Sequence, residues 1–180
     1  MEKYHIDNTK EKLRGPTEEQ IIVYNQWAAT AFDIFHSNSI AEILLVIDGN
    51  TKKVLLEWNS NFSKAAMKEE IDMANHGGVA MAWFVMSVLK GYKYVEQSHI
   101  GDGVDYLFKE LEPNDDDLNF LNNSHFVEIS GILQESKTNT LKGRIKKKHD
   151  QIKQGAKSNK SSSVIVTLFS QPKTVKETHK

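Results

Sequence analysis

Apolar positions recur every three or four residues over two long stretches and every second residue over several short ones, which predicts helices set among strands. After Pro16, Thr17-Glu18-Glu19-Gln20 has the form of a capping box, and Ile21, Tyr24, Ala28, Ala31 and Phe35 follow at helical spacing. Trp27 and Ile34 widen that stripe, and His36-Ser37-Asn38-Ser39 ends it. Ile43 to Ile47 is continuously apolar, Asp48-Gly49-Asn50 is a turn, and Val54, Leu56 and Trp58 alternate: a β-hairpin. Asn59 to Ser63 reads as loop, with Ser60 or Ser63 capping a second helix over 64–89. The apolar face of that helix is Met67, Ile71, Ala74, Gly78, Ala82, Val85 and Leu89. Gly77-Gly78 weakens it by about 1 kcal/mol per glycine, so the pair either kinks it or admits a strand at close range.

Beyond residue 90 the pattern becomes short strands. Residues 92–97 form the first, Gly103-Val104-Asp105-Tyr106-Leu107-Phe108 the second, and His125-Phe126-Val127-Glu128-Ile129-Ser130-Gly131 the third, after an acidic connection over 110–123. Residues 141–154 form a basic helix, 155–163 a Ser/Lys/Gly loop and 164–170 a last apolar strand. The chain therefore divides into a polar, loosely held segment (1–15), a helix plus hairpin (16–62), an α/β core (63–172) and a polar tail (173–180), all within one compact domain.

Composition bears on this picture at three points. With 180 residues, 39% hydrophobic and 26% charged, the chain is long enough to bury a sizeable core. It has no cysteine, which removes disulfides and thiolate metal sites. Met1 to Arg14 has no apolar signal core and no stretch approaches the roughly 20 apolar residues of a membrane span, so a cytoplasmic protein without membrane contact is expected. Charge is segregated along the chain. Residues 137–160 hold nine Lys or Arg against the single acid Asp150, so +8 there opposes −9 elsewhere within the net −1. Such a run suits an anionic polymer, DNA or RNA, with Arg144, Lys146, Lys147 and Lys148 on its phosphates. A solvated helix face would carry the same charges.

The candidate chemistry lies in the second and third strands of the core. Asp105 and Glu128 each stand in an otherwise apolar run, and a buried carboxylate costs several kcal/mol unless it is paired, hydrogen-bonded or bound to a cation. Two of them on neighbouring strands suggest a divalent-metal site, and two edge acids facing water are the plain alternative. The order helix, strand, strand, strand, helix, strand, with Asp105 on the second strand and Glu128-x-Ser130 on the third, resembles the PD-(D/E)xK, or restriction-endonuclease-like, nuclease superfamily over about 110 residues of the chain. The resemblance implies an α/β fold with an αβββαβ core, and Mg2+ or Mn2+ held by Asp105 and Glu128, with Glu70 or Glu69 on the first helix joining them. Ser130 stands where the family has its catalytic lysine. Alternation puts it on the same strand face as Glu128, so a basic residue must come from elsewhere, Lys142, Arg144 or Lys146 on the next helix being nearest in sequence, or hydrolysis is lost.

The expected function is thus a metal-dependent nuclease, in a defence or nucleic-acid-processing setting. Its alternatives are an inactive binding or assembly subunit of the same fold, alone or in a larger complex, and a small domain that dimerises through the 43–58 hairpin. His76, His99 and His125 are weaker candidates, and Trp27, Trp58 and Trp83 read as packing.

Overall fold

The computed structural model describes residues 1–60, 66–99, 103–111, 124–155 and 160–179, and shows a mixed α/β protein built on one eight-stranded mixed sheet. Strands β1 (Glu2–His5), β2 (Ile40–Ile47), β3 (Asn50–Glu57), β4 (Tyr94–Gln97), β5 (Tyr106–Lys109), β6 (His125–Ile132), β7 (Ser162–Leu168) and β8 (Lys173–Thr178) lie in the order β1-β3-β2-β8-β7-β6-β5-β4. Helices α1 (Asn8–Lys12), α2 (Glu18–Asp33), α3 (Glu70–Phe84) and α4 (Leu141–Gln154) complete it, α3 continuing as a π-helical turn over Val85–Leu89. No described helix is long and apolar enough to cross a membrane.

The expected core order is observed as α3, β4, β5, β6, α4, β7. β4, β5 and β6 are antiparallel neighbours, and β7 joins β6 in parallel through the α4 crossover. Period-two alternation sorts the two faces: Val127, Ile129 and Ile165 pack with α2 and α3, while Phe126, Val164, Val166 and Leu168 pack with Leu141 and Ile152 of α4. The capping box at Thr17 forms as read, its hydroxyl accepting from the Gln20 N–H while the Gln20 side chain accepts from the Thr17 N–H. The glycine pair admits the strand. A Cβ on Gly78 would lie 2.8 Å from the Gly131 nitrogen, and one on Gly131 would run into the Ala74 carbonyl, so α3 and β6 touch backbone to backbone.

Four expectations are corrected. The 173–180 tail is not a tail, because β8 lies between β2 and β7 and welds the hairpin to the core. Its buried polar side chains are satisfied internally: Lys176, 5% exposed, donates to Asp48 Oδ2 at 2.8 Å, and the Thr174 and Thr167 hydroxyls are 3.0 Å apart. Residues 1–15 are not loose either. β1 pairs with β3 at one sheet edge, whereas Arg14 bonds to Lys93 and Val95 beside β4 at the other, and Ile6 and Leu13 between them are each 1% exposed. Eight flat strands would span about 34 Å, farther than residues 5–14 with their short helix can reach, at about 20 Å. The sheet is therefore curled, its edges approaching each other around α3.

The third correction is that α3 starts at Glu70 rather than near residue 64. The Ser60 hydroxyl is bound to Ser39 and Asp33, while Ser63 lies outside the described residues. Finally, Ile71 and Ile34, read as core, are 73% and 51% exposed. Trp27 is partly buried, and Trp58 and Trp83 are buried, as their packing role requires. The hairpin face of Ile43, Leu45, Val54 and Leu56 is buried within this chain.

Candidate active site

Asp105 directly precedes β5 and Glu128 sits in mid-β6, and the ladder brings them together. The Asp105 N–H donates to the Val127 carbonyl at 3.0 Å, and the Ile129 N–H donates to Asp105 Oδ2 at 2.6 Å. A carboxylate thus replaces a backbone acceptor where β5 begins, which fixes one of its oxygens against the strand that carries Glu128. Glu128 points to the α4 face between Phe126 and Ser130, with its side chain 5% exposed; that of Asp105 is 41% exposed, so the site opens to solvent on the Asp105 side.

The third member comes from α4. Thr140 caps this helix, its hydroxyl accepting from the Gly143 N–H, and the Leu141 N–H donates to Glu135 Oε1 at 2.6 Å. Leu141, Ile145, Lys148 and Ile152, spaced four, three and four, then line the side facing the sheet. Lys148 is the one charged residue in that stripe. Its ammonium lies 2.6 Å from Glu128 Oε1 and 3.9 Å from Asp105 Oδ2, with the side chain only 14% exposed. Burial first, and the Asp105 charge second, push the Glu128 carboxyl up to about 7, while Lys148 pulls the other way. The cluster therefore holds two acids and one ammonium, with one carboxylate poised near neutral pH.

The two acids expected on neighbouring strands lie together, and the cation beside them is Lys148 rather than Lys142, Arg144 or Lys146. Lys142 lies on the far side of α4, in a cavity toward β8. Arg144 is held by Asn139 Oδ1 at 2.7 and 3.2 Å, and Lys146 pairs with Asp150 at 3.2 Å. Lys148, expected on phosphates with Arg144, Lys146 and Lys147, is instead in the acid cluster, and Lys147 is exposed. A lysine in phase with Leu141, Ile145 and Ile152 was the signal that would have singled it out. Ser130 is 5% exposed on the Glu128 face, as alternation required.

Glu70 is not brought to the pair. It lies at the α3 N-terminus on the opposite sheet face, in a groove of about 620 Å³ shared with Glu135, Asn139 and Arg144. The adjoining Glu69 is the N-cap of the same helix and is exposed. Among the described residues no third carboxylate or imidazole completes a metal-ligand group. His125 points away, 2.8 Å from the hydroxyls of both Ser161 and Ser163. His76 packs beside Tyr24 and Trp27, and exposed His99 follows Ser98, whose N–H bonds to the Asp105 carbonyl at 2.9 Å. The acidic connection over 112–123 lies outside the described residues.

No family model matches the chain, and neither a curated protein nor a solved structure does.

Proposed function

We propose that the chain is a metal-dependent nucleic-acid phosphodiesterase of the PD-(D/E)xK type, whose lysine has moved from the strand to helix α4. The carrying observation is the Lys148 ammonium, 2.6 Å from Glu128 and 3.9 Å from Asp105, on the strand face where Ser130 leaves the family's lysine position without a cation. The element order and strand pairing from α3 to β7 support the same reading. So does the donor set: two mutually repelling carboxylates with one neighbouring ammonium suit a hard divalent cation, which accepts one or two carboxylates and fills its remaining positions with water. Asp105 and Glu128 would hold Mg2+ or Mn2+, which supplies a more acidic water and neutralises phosphate charge.

In this reading Asp105 is held by the Ile129 N–H, so its orientation needs no reorganisation before reaction. Glu128, with its carboxyl near 7, can take a proton from the attacking water or remain ionised for the cation. Lys148 offers an ammonium to the developing negative charge and is aimed by a helix anchored through Leu141 and Ile152.

The test is cleavage of plasmid, single-stranded DNA and RNA with Mg2+ or Mn2+, for wild type, Asp105→Ala, Glu128→Ala and Lys148→Ala. Metal-dependent cleavage by wild type and its loss in all three variants is expected. Inactivity of wild type on every substrate would refute it. One observation favours a second reading, an inactive binding subunit: Lys148 already neutralises Glu128 at hydrogen-bond distance. In that case Mn2+ should fail to bind wild type and should bind only after Lys148→Ala.

A further inference from the structure

On the other side of α4 lies a cavity of about 800 Å³, where the helix packed on β6 and β7 borders the same sheet face at β8 and β2. Its floor is apolar, made by Val46, Leu141, Ile145 and Val175. Its rim is cationic. Lys142, Lys146 and Lys153 project from one side of α4, and Lys173 faces them from β8. Of these, Lys146 is paired with Asp150, and the other three have no carboxylate partner among the described residues. Glu177, the second acid of the cavity, is engaged by His149 at 3.3 Å, and His149 Nδ1 is 2.9 Å from His179 Nδ1. This His149 chain ties the end of β8 to the helix, so the wall is held and its acid has a hydrogen-bond partner.

We propose that this groove binds a segment of single-stranded nucleic acid, with phosphates along the lysines and a base or bases on the apolar floor. Two features select that ligand over a compact anion. The lysines of α4 extend over eleven residues, about 16 Å of helix rise, which suits a chain of phosphates better than one anion. The floor offers apolar surface, which only unpaired bases can reach, since a duplex keeps its bases stacked inside. The proposal does not draw on the Asp105, Glu128 and Lys148 chemistry and is tested without metal.

The experiment is fluorescence anisotropy of a fluorescein-labelled dT12 strand with the full chain in EDTA, repeated with a labelled 12-base-pair duplex and with AMP and inorganic phosphate as competitors. Wild type should bind the strand at least tenfold more tightly than the duplex. The variant K142Q/K146Q/K153Q/K173Q should lose at least tenfold in affinity, with a shallower dependence on salt because fewer counterions are released. A control with the same charge change at exposed sites elsewhere, K12Q/K68Q/K90Q/K93Q, should keep most of it. Val46→Glu, a single change placing a carboxylate on the floor, should weaken binding independently of the lysines, and circular dichroism checks that each variant is folded. The proposal is overturned if dT12 does not bind, if the duplex binds as tightly, if the control variant weakens equally, or if phosphate displaces the strand as well as AMP does.

Discussion

Replacing Glu128 by glutamine isolates the electrostatic strain in the acid cluster, because the amide keeps the shape of the side chain and can still accept from Lys148. In the folded protein the Glu128 carboxyl is raised from 4.5 to about 7, chiefly by burial and then by Asp105. A raised acid holds a proton that the unfolded chain releases, so its contribution to stability is fully present below pH 4.5 and is lost as pH rises through 7. At about 1.4 kcal/mol per pH unit, the interval amounts to about 3 kcal/mol, and with the side chain almost wholly buried no large solvent discount applies. Glutamine does not titrate, so the stability of Glu128→Gln relative to wild type should rise by about 3 kcal/mol between pH 4.5 and pH 8. Urea unfolding across that range reads the difference, which for a slope of roughly 2 kcal/mol per molar is a midpoint displacement of about 1.5 M. Titrating groups outside the cluster are common to the two proteins and cancel. A constant offset between the two midpoints at every pH would refute both the burial argument and the carboxylate pairing.

Three further outcomes are expected. Lys148→Ala should lower turnover by about 10²-fold or more, the loss expected for a positioned electrostatic group, and adding Ser130→Lys should recover part of it by placing an ammonium two residues from Glu128 on the same face; single-turnover cleavage assays measure both, and unchanged activity in Lys148→Ala would remove Lys148 from the mechanism. Gly131→Ala should destabilise by about 3 kcal/mol or more, since its Cβ would meet the Ala74 carbonyl of α3 and helix and strand would have to separate; thermal unfolding checks this, and a melting point within a degree of wild type would contradict it. A chain ending at residue 172 should fail to fold cooperatively, because it lacks the strand between β2 and β7; a sharp near-ultraviolet melting transition in that fragment would count against it.

Much of the architecture follows from local pattern. The capping box at Thr17, the hairpin around Asp48-Gly49-Asn50, the 141–154 helix and the order from α3 to β7 are each set by spacing and turn chemistry within a dozen residues. Local rules also placed Glu128 and Ser130 on one face and marked Gly77-Gly78 as a point of close approach. Other features depend on partners far away in the sequence. β8 has one valine among Lys173, Thr174, Lys176, Glu177 and Thr178, and is a strand only because β2 and β7 supply hydrogen bonds on both sides and Asp48 receives Lys176. Residues 1–15 are ordered because the curled sheet brings its two edges within their reach. The same distinction runs through the site. The sequence determined that two carboxylates occupy apolar strands and that a serine stands two residues after the second. Which cation stands beside Glu128 was decided by the crossing of α4 over β6: successive helix side chains are turned by about 100°, and among the basic residues of α4 Lys148 falls in the phase that meets Glu128, while Lys142 turns toward β8 and Glu70 lies across the sheet.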